Sequence, residues 1–79
     1  MSVRVLLFAS LAEACGARAL DLELELPASA AAVRRAAELK VPHLHGRVFR
    51  VSVNSCYATE EAMVRPDAEV AFLPPVSGG

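Results

Sequence analysis

The amino-acid sequence predicts an α+β fold in which a mixed sheet of about four to five strands packs on one main helix. Three observations lead to this prediction. Residues 20–26 alternate strictly between leucine and a carboxylate residue, which is the period of a strand with one buried face. An alanine-rich segment of helix formers, residues 30–40, follows that strand. Shorter apolar segments with strand periodicity flank the pair, at residues 3–8, 48–53 and 69–73.

The first strand, residues 3–8, is apolar at every position except Arg4, so it is expected in the middle of the sheet. Residues 9–17, which contain Gly16, are predicted to be turn material. In the second strand, Asp21, Glu23 and Glu25 share one side, and this spacing is typical of a solvated face rather than of an acid–base site.

The helix is predicted over residues 30–40, with Ser29 as its N-cap. Pro42 disfavours helical geometry at the residue before it, so the helix should end there. Arg34 can pair with Glu38 one turn on, along a solvated face. The opposite, apolar face is expected to cover the sheet.

The remaining segments predict a third strand over 48–53, a turn at 54–55, an ambiguous stretch over 57–64, a turn at 66–67 and a last strand over 69–73. The order is therefore strand, strand, helix, strand, strand. A hairpin, a right-handed crossover helix and a second strand pair indicate a β-grasp, in which the first and last strands lie side by side and parallel.

This arrangement predicts an exposed apolar patch. If the alternate residues of the first and last strands face the helix, then Leu6, Phe8, Ala71 and Leu73 face the other way. Because the two strands are parallel, the patch lies at the edge from which the C-terminal segment departs. A hydrophobic content of 54% is high for 79 residues and also predicts exposed apolar surface, which usually marks a partner site.

The sequence ends on Gly79, and we expect its carboxylate to be the reactive group. A Gly-Gly end fits a slot too narrow for other residues. Two prolines favour an extended conformation, in which residues 74–79 would reach roughly 19 Å. The alternative is a loose chain end without a role. The predicted organisation is a domain over 1–73 and a tail over 74–79. The tail residues expected to give access are Pro74, Pro75, Val76, Ser77 and Gly78.

Several classes of function are disfavoured. A net charge of −1 without a basic stripe argues against nucleic acid as a partner. The apolar segment at residues 5–9 is too short to span a bilayer and does not form a signal peptide, so we expect a cytoplasmic protein and no membrane partner. No spacing supports a catalytic group of side chains or a phosphate-binding loop.

The metal-binding residue types are few. Cys15 and Cys56 lack the spacing of metal ligands and are expected to be free thiols. His43 and His45 have no cysteine or carboxylate cluster nearby to complete a site, so no metal is predicted.

Three segments, residues 5–9, Val53-Asn54 and above all residues 69–79, resemble the small subunit of molybdopterin synthase. The resemblance covers the whole chain. It implies a ubiquitin-like sulfur carrier whose Gly79 is adenylated by an E1-like adenylyltransferase and converted to a thiocarboxylate. The thiocarboxylate would then donate sulfur to cyclic pyranopterin monophosphate.

The resemblance also implies partners and contacts. The donation would take place in a heterotetramer whose large subunit carries the catalytic side chains, and ATP would be used by the activating partner, with no cofactor on this chain. Phe8, Tyr57 and Leu73 match apolar contact positions of the family, and Leu6 joins them in the predicted patch. Ala12 departs from the family, in which a charged residue is often found at this position.

Three other functions remain open. A sulfur carrier for thiamin synthesis or tRNA thiolation would share the fold and the Gly-Gly end, although the longer body and the Pro-Pro-Val-Ser stretch favour the molybdenum branch. A protein modifier would be joined through Gly79 to lysines of its targets. A non-covalent adaptor would use only the patch of Leu6, Phe8 and Leu73.

Overall fold

A computed structural model of the protein describes residues 1–75, which form a five-stranded sheet with the main helix packed on one face. Val76, Ser77, Gly78 and Gly79, which carry the predicted reactive end, lie outside the described residues. In chain order the elements are β1 (Ser2–Leu7), α1 (Ser10–Cys15), β2 (Ala19–Glu23), β3 (Ala28–Ser29), α2 (Ala30–Lys40), a 3₁₀ turn (Pro42–Leu44), β4 (Arg50–Val53), β5 (Cys56–Tyr57), β6 (Met63–Val64) and β7 (Val70–Leu73).

The strand order in the main sheet is β2-β1-β7-β4-β5. The β1–β7 pair is parallel, and the other pairs are antiparallel. A separate two-stranded sheet joins β3 to β6. The predicted β-grasp is therefore confirmed, including the parallel pairing of the first and last strands inside the sheet.

The core lies between one face of the sheet and α2. Alternate residues of each strand point into it, because successive side chains of a strand face opposite sides. The ring of Phe72 is fully buried and packs on Phe49 with the ring centroids 4.7 Å apart. From the helix, Val33 and Ala37 are fully buried against the sheet.

Three successive backbone N–H groups at the start of α2 have hydrogen-bond acceptors. The Ser29 hydroxyl accepts from the Ala32 N–H at 3.1 Å, as the N-cap prediction requires. The preceding N–H groups of Ala30 and Ala31 donate to the carbonyls of Ala62 and Glu60 at 2.8 and 3.1 Å. The loop before β6 therefore fixes where the helix begins.

The prediction of turn material over residues 9–17 was wrong, because α1 occupies Ser10–Cys15. Leu11 is 1% exposed and anchors this helix on the core. Gly16 ends it in the left-handed conformation, with φ 70°, which favours glycine. A helix of six residues spans less than two turns, so it shows no helical period in the sequence, and its stability comes from the burial of Leu11.

The predicted pairing of Arg34 with Glu38 on a solvated face was also wrong. Arg34 instead donates from Nη2 to the carbonyl oxygen of Phe49 at 2.8 Å, and its guanidinium lies 4.5 Å from the centroid of the Phe49 ring. A long side chain on a helix can reach a neighbouring segment as easily as the next helical turn. Here the Phe49 carbonyl accepts a hydrogen bond and the Phe49 ring provides a cation–π contact.

Three strands are shorter than predicted. β2 ends at Glu23 instead of residue 26, while Leu24 and Leu26 still pack against the core from the loop. β4 begins at Arg50 instead of residue 48, and β7 begins at Val70 instead of residue 69. Alternation records which side chains are buried, whereas strand bounds depend on pairing with a neighbour.

Candidate functional site

The face of the sheet opposite α2 carries a groove of about 370 Å³, which we call the outer groove. Its floor and walls come from four strands and one hairpin turn. The lining residues are Leu6, Phe8, Ser52, Ser55, Tyr57, Glu69, Ala71 and Leu73.

Strand register brings these residues together. Leu6 lies beside Ala71 across the parallel β1–β7 pair, and Ala71 lies opposite Ser52 across the β7–β4 pair. Ser52 in turn lies opposite Tyr57 in β5. One row of side chains therefore crosses the sheet from β1 to β5 on the outer face.

The shape of the groove follows from residue size along that row. Ala71 and Ser52 are small and form the floor, whereas Tyr57 on one side and Leu6 with Phe8 on the other form the walls. Leu6, Phe8 and Tyr57 are 37%, 45% and 59% exposed, which is high for large apolar side chains that lie together. The groove is therefore suited to an apolar side chain supplied by another protein.

The hairpin that presents Tyr57 is fixed to β7 by one asparagine. Asn54 and Ser55 have φ of 52° and 69°, a left-handed pair that a tight hairpin requires and that asparagine tolerates better than most residues. The Asn54 side chain accepts from the Glu69 N–H at 2.9 Å, and the Asn54 N–H donates to the Glu69 carbonyl at 2.7 Å. These two bonds set the distance between Tyr57 and the strand that leads to the tail.

Charges lie at both ends of the outer groove. Glu69 lines the end farther from the tail. At the other end, Arg50 lies opposite Leu73 in the β4–β7 pair, and its guanidinium is 4.9 Å from the centroid of the Tyr57 ring.

A third charge on this face is already paired. The Arg4 guanidinium donates to the Asp21 carboxylate at 3.1 Å, and this hydrogen bond raises the pKa of Arg4 above its usual value. Both side chains are exposed, so the pair contributes little to stability.

The structure brings together the four predicted contact residues, Leu6, Phe8, Tyr57 and Leu73, in the lining of the outer groove. Pro74 and Pro75 follow Leu73 directly, half-buried and exposed respectively, so the chain leaves the sheet at this end of the groove. Sequence reasoning did not assign Arg50, Ser52 or Glu69 to the site. Their alternation with the buried residues of β4 and β7 was the available signal.

The remaining candidates lie elsewhere. Ala12 shares a shallow depression with Phe8 and Arg18 beside the outer groove. Cys15 is a half-buried free thiol, and burial raises its pKa, whereas Cys56 is exposed in β5. Within residues 1–75, His43 and His45 belong to no group of three potential metal ligands. No helix in this part of the chain has the length and hydrophobicity needed to cross a membrane.

Comparison with known proteins places these features in a family. The model of the ThiS family matches residues 5–79. The crystal structure of SAMP1 from Haloferax volcanii is similar with a TM-score of 0.89 and 29% identity, and it covers 100% of both chains. The solution structure of the small archaeal modifier protein 1 from Methanosarcina acetivorans is similar with a TM-score of 0.78 and 28% identity, covering 99% of this chain and 96% of that one.

A third similar structure is a protein–protein complex of subunits 1 and 2 of molybdopterin-converting factor from Helicobacter pylori 26695. Its TM-score is 0.66 at 20% identity, it covers 100% of both chains, and at this identity it shows the shared fold. No curated protein matches the sequence significantly. The chain belongs to the ThiS family and is a ubiquitin-like small protein of the sulfur-carrier or modifier type.

Proposed function

We propose that this chain is the sulfur carrier of molybdopterin synthase, in which a thiocarboxylate on Gly79 donates sulfur to cyclic pyranopterin monophosphate. Its partners are the large synthase subunit and an E1-like adenylyltransferase. The observation that carries the proposal is the position of the outer groove at the end of the parallel β1–β7 pair, where the chain continues through Pro74 and Pro75 toward the two glycines. One partner can therefore hold the groove and receive the tail together.

The chemistry requires activation by a partner. A carboxylate oxygen of Gly79 bonds to the α-phosphorus of ATP and pyrophosphate leaves, because a free carboxylate has no adequate leaving group. The outer sulfur of a persulfide on a donor protein then bonds to the carbonyl carbon, and the bond to AMP breaks. A second thiol of the donor bonds to the inner sulfur, so the S–S bond to the outer sulfur breaks, a disulfide stays on the donor and the thiocarboxylate is released. The product carries sulfur in place of one oxygen. ATP and its metal belong to the activating partner in this scheme.

Two supports favour the molybdenum branch. One similar structure is a complex of the two subunits of molybdopterin-converting factor. In addition, residues 69–79 of this chain carry the Pro-Pro-Val-Ser stretch, which belongs to the segment that most resembles the small subunit of molybdopterin synthase.

The intact mass of the protein tests the proposal. The chain is co-expressed with the E1-like enzyme and a sulfur donor, and the expected result is the exchange of one oxygen for sulfur at Gly79, located by fragmentation. The loaded protein, mixed with the large subunit, should convert cyclic pyranopterin monophosphate to molybdopterin. Unaltered mass under conditions that consume ATP would contradict the proposal.

A second prediction concerns a variant that lacks Gly79. The variant that ends at Gly78 should lose sulfur transfer completely, since the loaded carboxylate would lie one residue short of the reacting atoms. Its thermal unfolding should equal that of the full chain, because the removed residue lies beyond the elements that form the core. The control is a Ser77→Ala variant, which keeps the length of the tail and should still be loaded.

The modifier function is the second candidate, and the similarity to SAMP1 over 100% of both chains favours it. The same adenylated glycine would then be attacked by a lysine amine and form an amide. A ladder of conjugates on a denaturing gel, with a branched Gly-Gly peptide found by mass spectrometry and lost on removal of Gly79, would support this function.

A further inference from the structure

We propose that Arg50 is a specificity-determining residue that binds a carboxylate on the partner surface covering the outer groove. The partner is the large synthase subunit, so the inference rests on the proposed function and extends it to the chemistry of the interface. Tyr57 is the positioning residue for this contact.

The first support is the position of Arg50. It lies opposite Leu73, the last residue of β7, and therefore beside the point where the chain leaves the sheet. Its side chain shares the outer face with Leu73 and Ser52, because cross-strand neighbours and alternate residues of a strand lie on one side. A protein that receives the tail and covers the groove must pass over Arg50.

The second support is that Arg50 has no acidic partner of its own. In the part of the chain that the structure describes, ion pairs join Arg4 to Asp21 and the N-terminus to Glu23, and Arg50 takes part in neither. Glu69, the charged residue of the groove lining, lies toward the opposite end of β7. A cation that becomes covered by a partner without a counter-charge would weaken the complex, so the covering surface is expected to supply one.

The third support is preorganisation. The guanidinium lies 4.9 Å from the centroid of the Tyr57 ring, and the β4–β5 pairing and the Asn54 hydrogen bonds fix the backbone of the hairpin that carries this ring. Within residues 1–75 the Arg50 guanidinium makes no side-chain hydrogen bond, so its planar fork of N–H donors is available for the two oxygens of a carboxylate. A side chain already held in one conformation loses less entropy when it binds.

A carboxylate from a protein fits better than a phosphate of a nucleic acid. Arg50 lies beside an apolar groove lined by Leu6, Phe8 and Leu73. The other arginine of this face, Arg4, lies toward the opposite end of the groove and is already paired with Asp21. Binding of nucleic acid requires several cations along one face, whereas one cation at the edge of an apolar groove is typical of a protein interface.

The test measures binding of the large subunit from the same organism to the wild-type chain and to Arg50→Glu, Arg50→Lys and Tyr57→Ala. Arg50→Glu should bind at least about tenfold more weakly, with most of the loss in low salt, because it places like charges together. Arg50→Lys should be intermediate, since an ammonium cannot form the planar two-bond contact. Tyr57→Ala removes the ring that positions the guanidinium and should also weaken binding, and its loss should not add fully to that of Arg50→Glu in the double variant.

Arg35→Glu is the matched control, because it makes the same change in net charge on the exposed side of α2, in the layer opposite the groove. Affinity of Arg50→Glu equal to that of this control would overturn the inference, and so would a loss of thermal stability with unchanged affinity, which would make the Arg50–Tyr57 contact purely structural. If the wild-type chain fails to bind the large subunit, the proposed function is contradicted and the inference falls with it. Binding by the wild type with no effect of Arg50→Glu contradicts the inference alone.

Discussion

At Phe8 the backbone and the side chain serve different purposes. The N–H donates to the Phe72 carbonyl at 3.3 Å, which continues the β1–β7 pairing one residue beyond the strand. The ring, at 45% exposure, contributes little to the core and forms a wall of the outer groove. A residue whose backbone is fixed and whose large apolar side chain is exposed is suited to anchor a partner.

Phe8→Asp should therefore weaken binding of the large subunit by about 2 kcal/mol or more, roughly thirtyfold, because it replaces an apolar anchor by a charge without a partner. The free domain should unfold at nearly the same temperature. Titration calorimetry and thermal unfolding check the two parts. Leu39→Asp, at a 76% exposed position on α2, is the control and should bind normally. Unchanged affinity of Phe8→Asp would remove Phe8 from the contact.

Among the elements, α2 has clear start and stop signals in the sequence, whereas α1 has few. α2 has a cap, a run of helix formers and a following proline, and it begins and ends where these signals predict. α1 has no side-chain cap at Ala9 and lasts six residues, so only the burial of Leu11 identifies it. Local chemistry therefore predicts the long helix, whereas the short helix depends on the surrounding structure.

The cap of α2 gives a prediction at this scale. Ser29→Ala removes the acceptor of the Ala32 N–H and should reduce the free energy of unfolding by about 1 kcal/mol. For a domain of this size that corresponds to a decrease in Tm of roughly 4–8 °C. Ser10→Ala, at the start of α1, makes the same chemical change where no side-chain cap bond exists. Equal losses in the two variants would show that the Ser29 bond contributes nothing specific.

For the whole molecule, one face of the sheet forms the core and stabilises the fold, and the other face carries the groove proposed to bind a partner. Phe72 and Leu73 are neighbours in β7, but the first is fully buried under α2 and the second lines the outer groove. The chain leaves the sheet from the same strand, so the strand that holds the core together also leads toward the proposed reactive end.

Substitutions at these two neighbours should separate the roles. Phe72→Ala should cost about 3–5 kcal/mol, a large share of the roughly 5–15 kcal/mol that stabilises a small domain, and should leave part of the protein unfolded at 37 °C. Leu73→Ala should change the unfolding free energy far less and reduce binding of the large subunit. Urea unfolding and binding assays on both variants check this. Comparable destabilisation by the two would contradict the division.

The sequence by itself determined the α+β class, the helix over 30–40, the order of the main strands and the orientation of the patch, because alternation and capping are local and survive without tertiary contacts. Strand alternation also supplied Leu6, Phe8 and Leu73, whereas Tyr57 came from the family resemblance. The tertiary structure alone decided that Arg34 binds Phe49, that α1 exists, and that Ser52 joins β1 and β7 in one groove with Arg50 beside it. These features depend on which strands are neighbours and in what register, and pairing across tens of residues leaves no periodic signal in the chain.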